Sequence, residues 1–143
     1  MQTAMRRLFA VLLICLLAAC ASTGVAPAPP SKEIPEITIG QAIDLINSFR
    51  SSAGVPPLAE DPALDTYALQ VASTIVLVGK LSSVEGVRQA KYAAGVERVE
   101  QAIAIWRADP AATSALLDPQ ATKAGIGAMV YSGKGAHWVI LLN

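Results

Sequence analysis

The segments Leu45-Ile46-Asn47-Ser48-Phe49-Arg50, Gly54-Val55-Pro56-Pro57-Leu58 and Asp61-Pro62-Ala63-Leu64 follow one another closely, and their reading decides the fold. Around the first, the apolar residues Ile39, Ala42, Ile43, Ile46 and Phe49 recur at helical spacing between Thr38 and Ala53, which marks a helix with one buried stripe. Gly54 and Pro56-Pro57 end that periodicity. Asp61 then offers a carboxylate to the free amides of a helix start, and Pro62 fits the first helical position, where no N–H is needed. This predicts a second helix carrying Leu64, Ala68, Val71, Ile75 and Val78 inward and stopping before Gly79. Its last part, Ala72 to Val78, is apolar on nearly every side, so it is expected as buried core, with an apolar pocket as the alternative.

Further along, Ser82-x-x-Glu85 has the form of a capping box and predicts a shorter helix through about Ala94, weakened by Gly86. From Glu97 to Ala108, Val99, Ala102, Ile103 and Trp106 form one face of a third amphipathic helix, with Glu97, Arg98, Gln101 and Arg107 elsewhere on the turn. Asp109-Pro110 caps a short helical segment ending near Leu116-Leu117. The period then changes. Ile126, Ala128 and Val130 alternate with Gly127, Met129 and Tyr131, Ser132 to Gly135 form a Gly-rich turn, and Trp138 to Leu142 is apolar, which together predict a C-terminal hairpin. Helices first and hairpin last indicate an α+β layered fold rather than a doubly wound sheet.

Upstream, Arg6 and Arg7 precede an unbroken apolar run from Leu8 to Ala19, well short of the ~20 residues that span a bilayer as a helix. It reads as a signal peptide. Leu17-Ala18-Ala19-Cys20 resembles the lipobox of bacterial lipoproteins, in which the cysteine thiol receives the lipid; ordinary secretion with cleavage after Ala21 is the competing reading. Cleavage before Cys20 leaves 124 residues, and the one remaining cysteine is taken by lipid, so the mature chain holds no internal disulfide. Two or three acyl chains anchor stably where one is marginal. Ala21, rather than an aspartate, after the cysteine resembles the outer-membrane sorting pattern, so the expected location is the cell envelope, at the outer membrane and facing the periplasm. Ala21 to Glu36 carries four of the nine prolines among small polar residues and reads as a tether, which leaves residues 37–143 as one domain.

Composition removes several functions. Eleven basic and eleven acidic side chains, no basic run and 5% aromatic residues argue against nucleic-acid binding. Two cysteines and a single histidine, His137, cannot complete an N/S zinc site without carboxylates. No serine lies in Gly-x-Ser-x-Gly or beside an obvious base, and neither Gly125-x-Gly127 nor Gly133-x-Gly135 links a strand to a helix as a phosphate cradle does.

Three stretches resemble the bacterial members of the CAP superfamily, the cysteine-rich secretory, antigen 5 and pathogenesis-related proteins, also called SCP-like. The opening segments match that family's "N-x-x-R, G-x-x-x-L, D-x-x-L" pattern. Trp106 to Pro119 is similar to its "W-x-x-S-P-G-H-R-x-N-L-L-N-P" stretch through Trp106, Pro110, Leu116, Leu117 and Pro119. Gly125-Ile126-Gly127 and Trp138-Val139 resemble its final hairpin. The resemblance implies an α-β-α sandwich with a small antiparallel sheet. It also implies a cleft in which some members hold a divalent metal with two histidines and two acidic groups. Here Ser83 and Ala112 stand where those histidines are expected, Glu97 is displaced by one residue from its counterpart, and Asp109 occupies the second acidic position. No metal site, cofactor or catalytic residue is carried over.

The candidate ligand cleft therefore comprises Glu97, Trp106, Asp109, His137 and Trp138, with core packing as the competing role for both tryptophans. A hydrolase of envelope polymers requires Glu97, Asp109 and His137 to converge. The expected function is that of a lipid-anchored, non-catalytic domain binding an apolar small molecule, a lipid or an envelope protein, with a structural role in an envelope complex as the alternative.

Overall fold

The computed structural model describes residues 37–131 and 133–143. The expected signal segment, Cys20 and the Pro-rich stretch expected as a tether lie outside the described residues. The elements run α1 (Ile37–Ser52), β1 (Ala59–Glu60), α2 (Pro62–Val78), β2 (Gln89–Val96), α3 (Val99–Ala108), α4 (Pro110–Leu116), β3 (Lys123–Tyr131) and β4 (Gly135–Leu142). The strands form one sheet in the order β1-β3-β4-β2.

Side-chain alternation along the strands builds two cores. Ala124 and Ile126 of β3 and Ala136, Trp138, Ile140 and Leu142 of β4 face α1, α3 and α4, where Ile46, Val99, Trp106 and Leu116 are fully buried. Val139 and Leu141 point the other way, onto Leu64, Ala68, Ala72 and Ile75 of α2. The result is the expected α-β-α sandwich, with α2 alone on one face. Asp61 caps α2 by accepting from the amide of Ala63 at 2.9 Å, and Gly79 ends it in a left-handed conformation with its N–H on the Ile75 carbonyl.

The helix meets the sheet at unusually short range. A Cβ on Gly125 would lie 2.2 Å from the Leu64 carbonyl carbon, and one on Gly127 would lie 2.2 Å from the Leu69 nitrogen. Gly125-x-Gly127 is thus the place where backbone packs on backbone, the reason both positions lack a side chain.

Several expectations are corrected. Residues 82–94 do not form a helix: 89–96 is strand β2, paired antiparallel with β4 from Gln89↔Leu142 to Val96↔Ala136, with an irregularity between Ala94 and Val96. The weak local preference for helix loses to the ladder that covers β4; Gly86, at positive φ, turns the chain before the strand, and Gly95, also at positive φ, sits at the irregularity within it. The sheet is mixed rather than wholly antiparallel, because β1 runs parallel to β3 through Ala59↔Lys123 and Glu60↔Ala124. The end of α2 is not core. Leu77 is 84% exposed and Val78 55%, while Ile75 is buried, since a helix on one side of a sheet hides only one stripe.

Candidate functional site

The residues that decide the fold hold loops rather than perform chemistry. Asn47 donates through Nδ2 to the Leu58 carbonyl at 2.9 Å and accepts the Leu58 N–H at 2.7 Å, fixing the path from α1 into β1. Arg50 is 0% exposed. Its guanidinium donates to the carbonyls of Pro56 (2.7 Å), Leu116 (2.6 Å), Asp118 (3.1 Å) and Ala121 (3.1 Å), tying the end of α1 to the loop leading into β3. Burial disfavours its charge, and the nearby Asp118 carboxylate opposes that effect. Four of its five N–H donors are spent on backbone carbonyls, so Arg50 serves as a structural tie.

The five cleft residues named from sequence do not form one site. Trp106 and Trp138 are 1% and 0% exposed and belong to the core beneath α1, α3 and α4. Trp138 donates through Nε1 to the Val96 carbonyl at 3.2 Å, whereas Trp106 Nε1 is buried without an acceptor among the described residues. Glu97 precedes α3 and Asp109 follows it, so a ten-residue helix, about 15 Å long, separates them. The Asp109 carboxylate is already engaged, accepting the amides of Ala111 (3.1 Å) and Ala112 (3.3 Å) at the start of α4. His137 shares the strand parity of Val139 and Leu141, so it faces the α2 layer, across the sheet from α3. The three groups that hydrolysis requires are therefore kept apart.

The positions aligned with the family's histidines separate in the same way. Ala112 is buried in the core on the α3 side, whereas Ser83 lies beside α2. Among the described residues, no cluster of three or more histidine, cysteine, aspartate or glutamate side chains is placed to hold a metal. Two carboxyls do meet elsewhere. Asp65 accepts the Ile126 N–H at 2.7 Å, and burial, then the neighbouring Glu60, raises its pKa above the ordinary aspartate range. Its partner contacts are backbone and another acid, which suits a helix-to-strand link.

What the structure does assemble is a groove of about 280 Å³ between α2 and the segment after it. Val71, Ile75 and Val84 give it apolar surface, while Tyr67, Thr74, Lys80, Ser82 and Ser83 supply four hydroxyls and one ammonium. The Tyr67 hydroxyl donates to the Glu85 carbonyl at 3.3 Å and fastens the outer wall to the helix. As a site position, the sequence reading singled out only Ser83 among these residues, standing where a histidine is expected. It did not place Ser82, Ser83 and Val84 against α2, because the segment from Ser82 was read as helix.

A profile of the cysteine-rich secretory protein family, CAP, matches residues 43–142. The chain belongs to the CAP family. Residues 43–142 nonetheless contain no cysteine, so no disulfide can form within the matched span. Among solved structures it is similar to an outer surface protein from Borrelia burgdorferi, at 15% identity and a TM-score of 0.65, covering 78% of this chain and 96% of that one. MpPR-1i matches at 21% identity and a TM-score of 0.62, over 73% and 88% of the two chains. An extracellular SCP-domain protein from Bacillus anthracis matches at 20% and 0.58, covering 82% of this chain and 44% of its own. No curated protein matches the sequence. The CAP domain here is thus established as a fold, and its chemistry rests on its own residues.

Proposed function

We propose that this CAP protein is lipid-anchored in the cell envelope through Cys20 and works there by binding rather than by catalysis. The observation that carries the reading is the groove beside α2, where valine and isoleucine surfaces lie next to Lys80 and four hydroxyls. Such a site suits a small amphipathic molecule with an apolar body and a polar or anionic end. The separation of Glu97, Asp109 and His137 supports the non-catalytic part of the reading. The envelope assignment draws on the short apolar leader and Leu17-Ala18-Ala19-Cys20. Two proteins of the same fold are named as an outer surface and an extracellular protein.

Native mass spectrometry of the chain released gently from membranes tests both halves. The expected spectrum has an acylated Cys20 and a stoichiometric non-protein adduct that disappears in Ser83→Trp, which fills the groove from an exposed loop position. An adduct that survives Ser83→Trp moves the binding site elsewhere. An N-terminus without lipid ends the anchor reading and leaves ordinary secretion in its place. A clean apo mass in repeated preparations shifts the function to a protein partner, and cross-linking of the anchored chain then identifies it.

A further inference from the structure

The exposed apolar end of α2 shares one end of the domain with the tip of the β3-β4 hairpin. Gly125 packs on Leu64 and Gly127 on Ala68 and Leu69, so helix and strand advance together. From Ala68 to Leu77 the helix rises about 13 Å, at ~1.5 Å per residue. Four residues of β3 beyond Gly127 cover about 13 Å, at ~3.3 Å per residue, and reach Tyr131. Leu77 (84% exposed), Val78 (55%) and Tyr131 (42%) therefore stand level with one another.

Two lysines flank this apolar tip. Lys80 follows the Gly79 cap, and the Lys134 ammonium sits 5.4 Å from the Tyr131 ring centroid. Neither is ion-paired among the described residues, where the salt bridges are Arg88–Asp118 and Lys123–Asp61. Glu97, Arg98 and Glu100 also belong to this end, where α3 starts in the opposite helical layer. Exposed leucine and valine beside a tyrosine and lysines is the composition that seats at a lipid headgroup boundary: the apolar groups enter, and the long cationic stems reach phosphate.

The course of α1 says where the chain joins this end. Its last turn is fixed at the far end of the sheet by Arg50 on the Leu116 and Ala121 carbonyls, and Phe49 stacks under Arg107 near the end of α3 at 4.6 Å. To bury Ala42, Ile43 and Ile46 over the sheet, α1 must extend back from there toward the hairpin tip. Its first turn, which follows the tether, consequently lies on the tip side.

We infer that the Leu77-Val78-Tyr131 tip, with Lys80 and Lys134, is a membrane-contact surface that rests on an anionic phospholipid leaflet. The inference builds on the proposed anchor, because a contact too weak to hold a free protein is occupied when a short tether keeps it at high local concentration. The Cys20 to Glu36 segment, seventeen residues, reaches at most about 60 Å when fully extended. The tip adjoins the groove and shares Lys80 with it, whereas Leu77, Val78, Tyr131 and Lys134 do not line the groove.

The test uses the full mature chain in vesicles of phosphatidylethanolamine and phosphatidylglycerol at 7:3, with nitroxide labels on Leu77→Cys or, as a control at an exposed position of α4, Ser114→Cys. The label at 77 is expected to lose at least tenfold of its accessibility to a water-soluble nickel chelate relative to the label at 114. Equal accessibility overturns the inference while acylation of Cys20, read by mass on the same sample, leaves the anchor intact. The anchor is removed independently in Cys20→Ser. This chain is expected to sediment weakly with the same vesicles, to lose at least tenfold of that binding in Leu77→Gln/Val78→Ser, and to be released by salt. Binding unaffected by the double substitution refutes the tip. Protection of position 77 without vesicles, rising with protein concentration, assigns the surface to a second copy of the chain and also refutes it.

Discussion

Replacing Gly127 with alanine tests the close approach of α2 to the sheet. The new Cβ would lie 2.2 Å from the Leu69 nitrogen, 2.5 Å from the Ala68 carbonyl carbon and 2.6 Å from the Leu69 Cα. Ordinary contact begins near 3.4 Å, so about 1 Å of clearance must be found, and all three obstacles are backbone that no rotamer change moves. The helix has to lift from β3, loosening the Leu64, Ala68, Ala72, Ile75, Val139 and Leu141 cluster. Gaps of 0.5–1 Å forfeit about a quarter to a half of each dispersion contact. Overpacking of this kind costs about 1–3 kcal/mol, here at the upper end, while alanine recovers roughly 0.5–1 kcal/mol of strand preference. The expected net loss is about 2 kcal/mol, a fall of roughly 8–16 °C in thermal midpoint for a domain of this size. Circular dichroism melts of wild type and Gly127→Ala measure it. Gly40→Ala is the matched control, since a Cβ there meets nothing within 4 Å, and a helical alanine is worth about 1 kcal/mol. A Gly127→Ala midpoint within about 2 °C of wild type, or above it, refutes the backbone-on-backbone account.

Other substitutions probe the remaining supports. Arg50→Lys keeps the charge but cannot reproduce a fork reaching four carbonyls, so at least one loses its side-chain donor, and a loss of about 2–4 kcal/mol is expected in urea unfolding; a near-neutral result removes Arg50 as the tie between α1 and the β3 entry. Asp109→Ala should cost about 1 kcal/mol by uncapping α4, whereas Glu97→Gln should leave both the melt and any envelope phenotype unchanged. Asp65 binds its proton more tightly folded than unfolded, so its stabilising contribution is complete below the ordinary aspartate range and is lost as pH rises through its raised value. Asp65→Asn, which can still accept from Ile126, is therefore expected to melt higher than wild type at pH 7, with the gap closing toward pH 4; a pH-independent gap contradicts the burial of that charge. Asp61 and Asp118 act with the opposite sign: backbone amides and nearby Lys123 and Arg88 hold them low, and their contribution disappears as pH falls through their lowered values.

The two long helices, the α3 and α4 segments, the C-terminal hairpin and the family are legible along the chain. Each of these is specified locally: Asp61-Pro62 and Asp109-Pro110 carry their own caps, and a 3.6-residue period persists from Ile39 to Phe49 regardless of what it packs on. That 89–96 is strand is not legible there, since its residues become a strand by pairing with β4, a partner 40 to 53 residues away that local propensity cannot represent. The same holds for the site. Glu97, Asp109 and His137 looked combinable along the chain, but helix length separates the two acids and strand parity turns the histidine to the other face. The groove residues, and the level of Leu77 with Tyr131, depend on how α2 lies on β3, a distance set by two glycines whose missing side chains are legible in the sequence but whose partner is not.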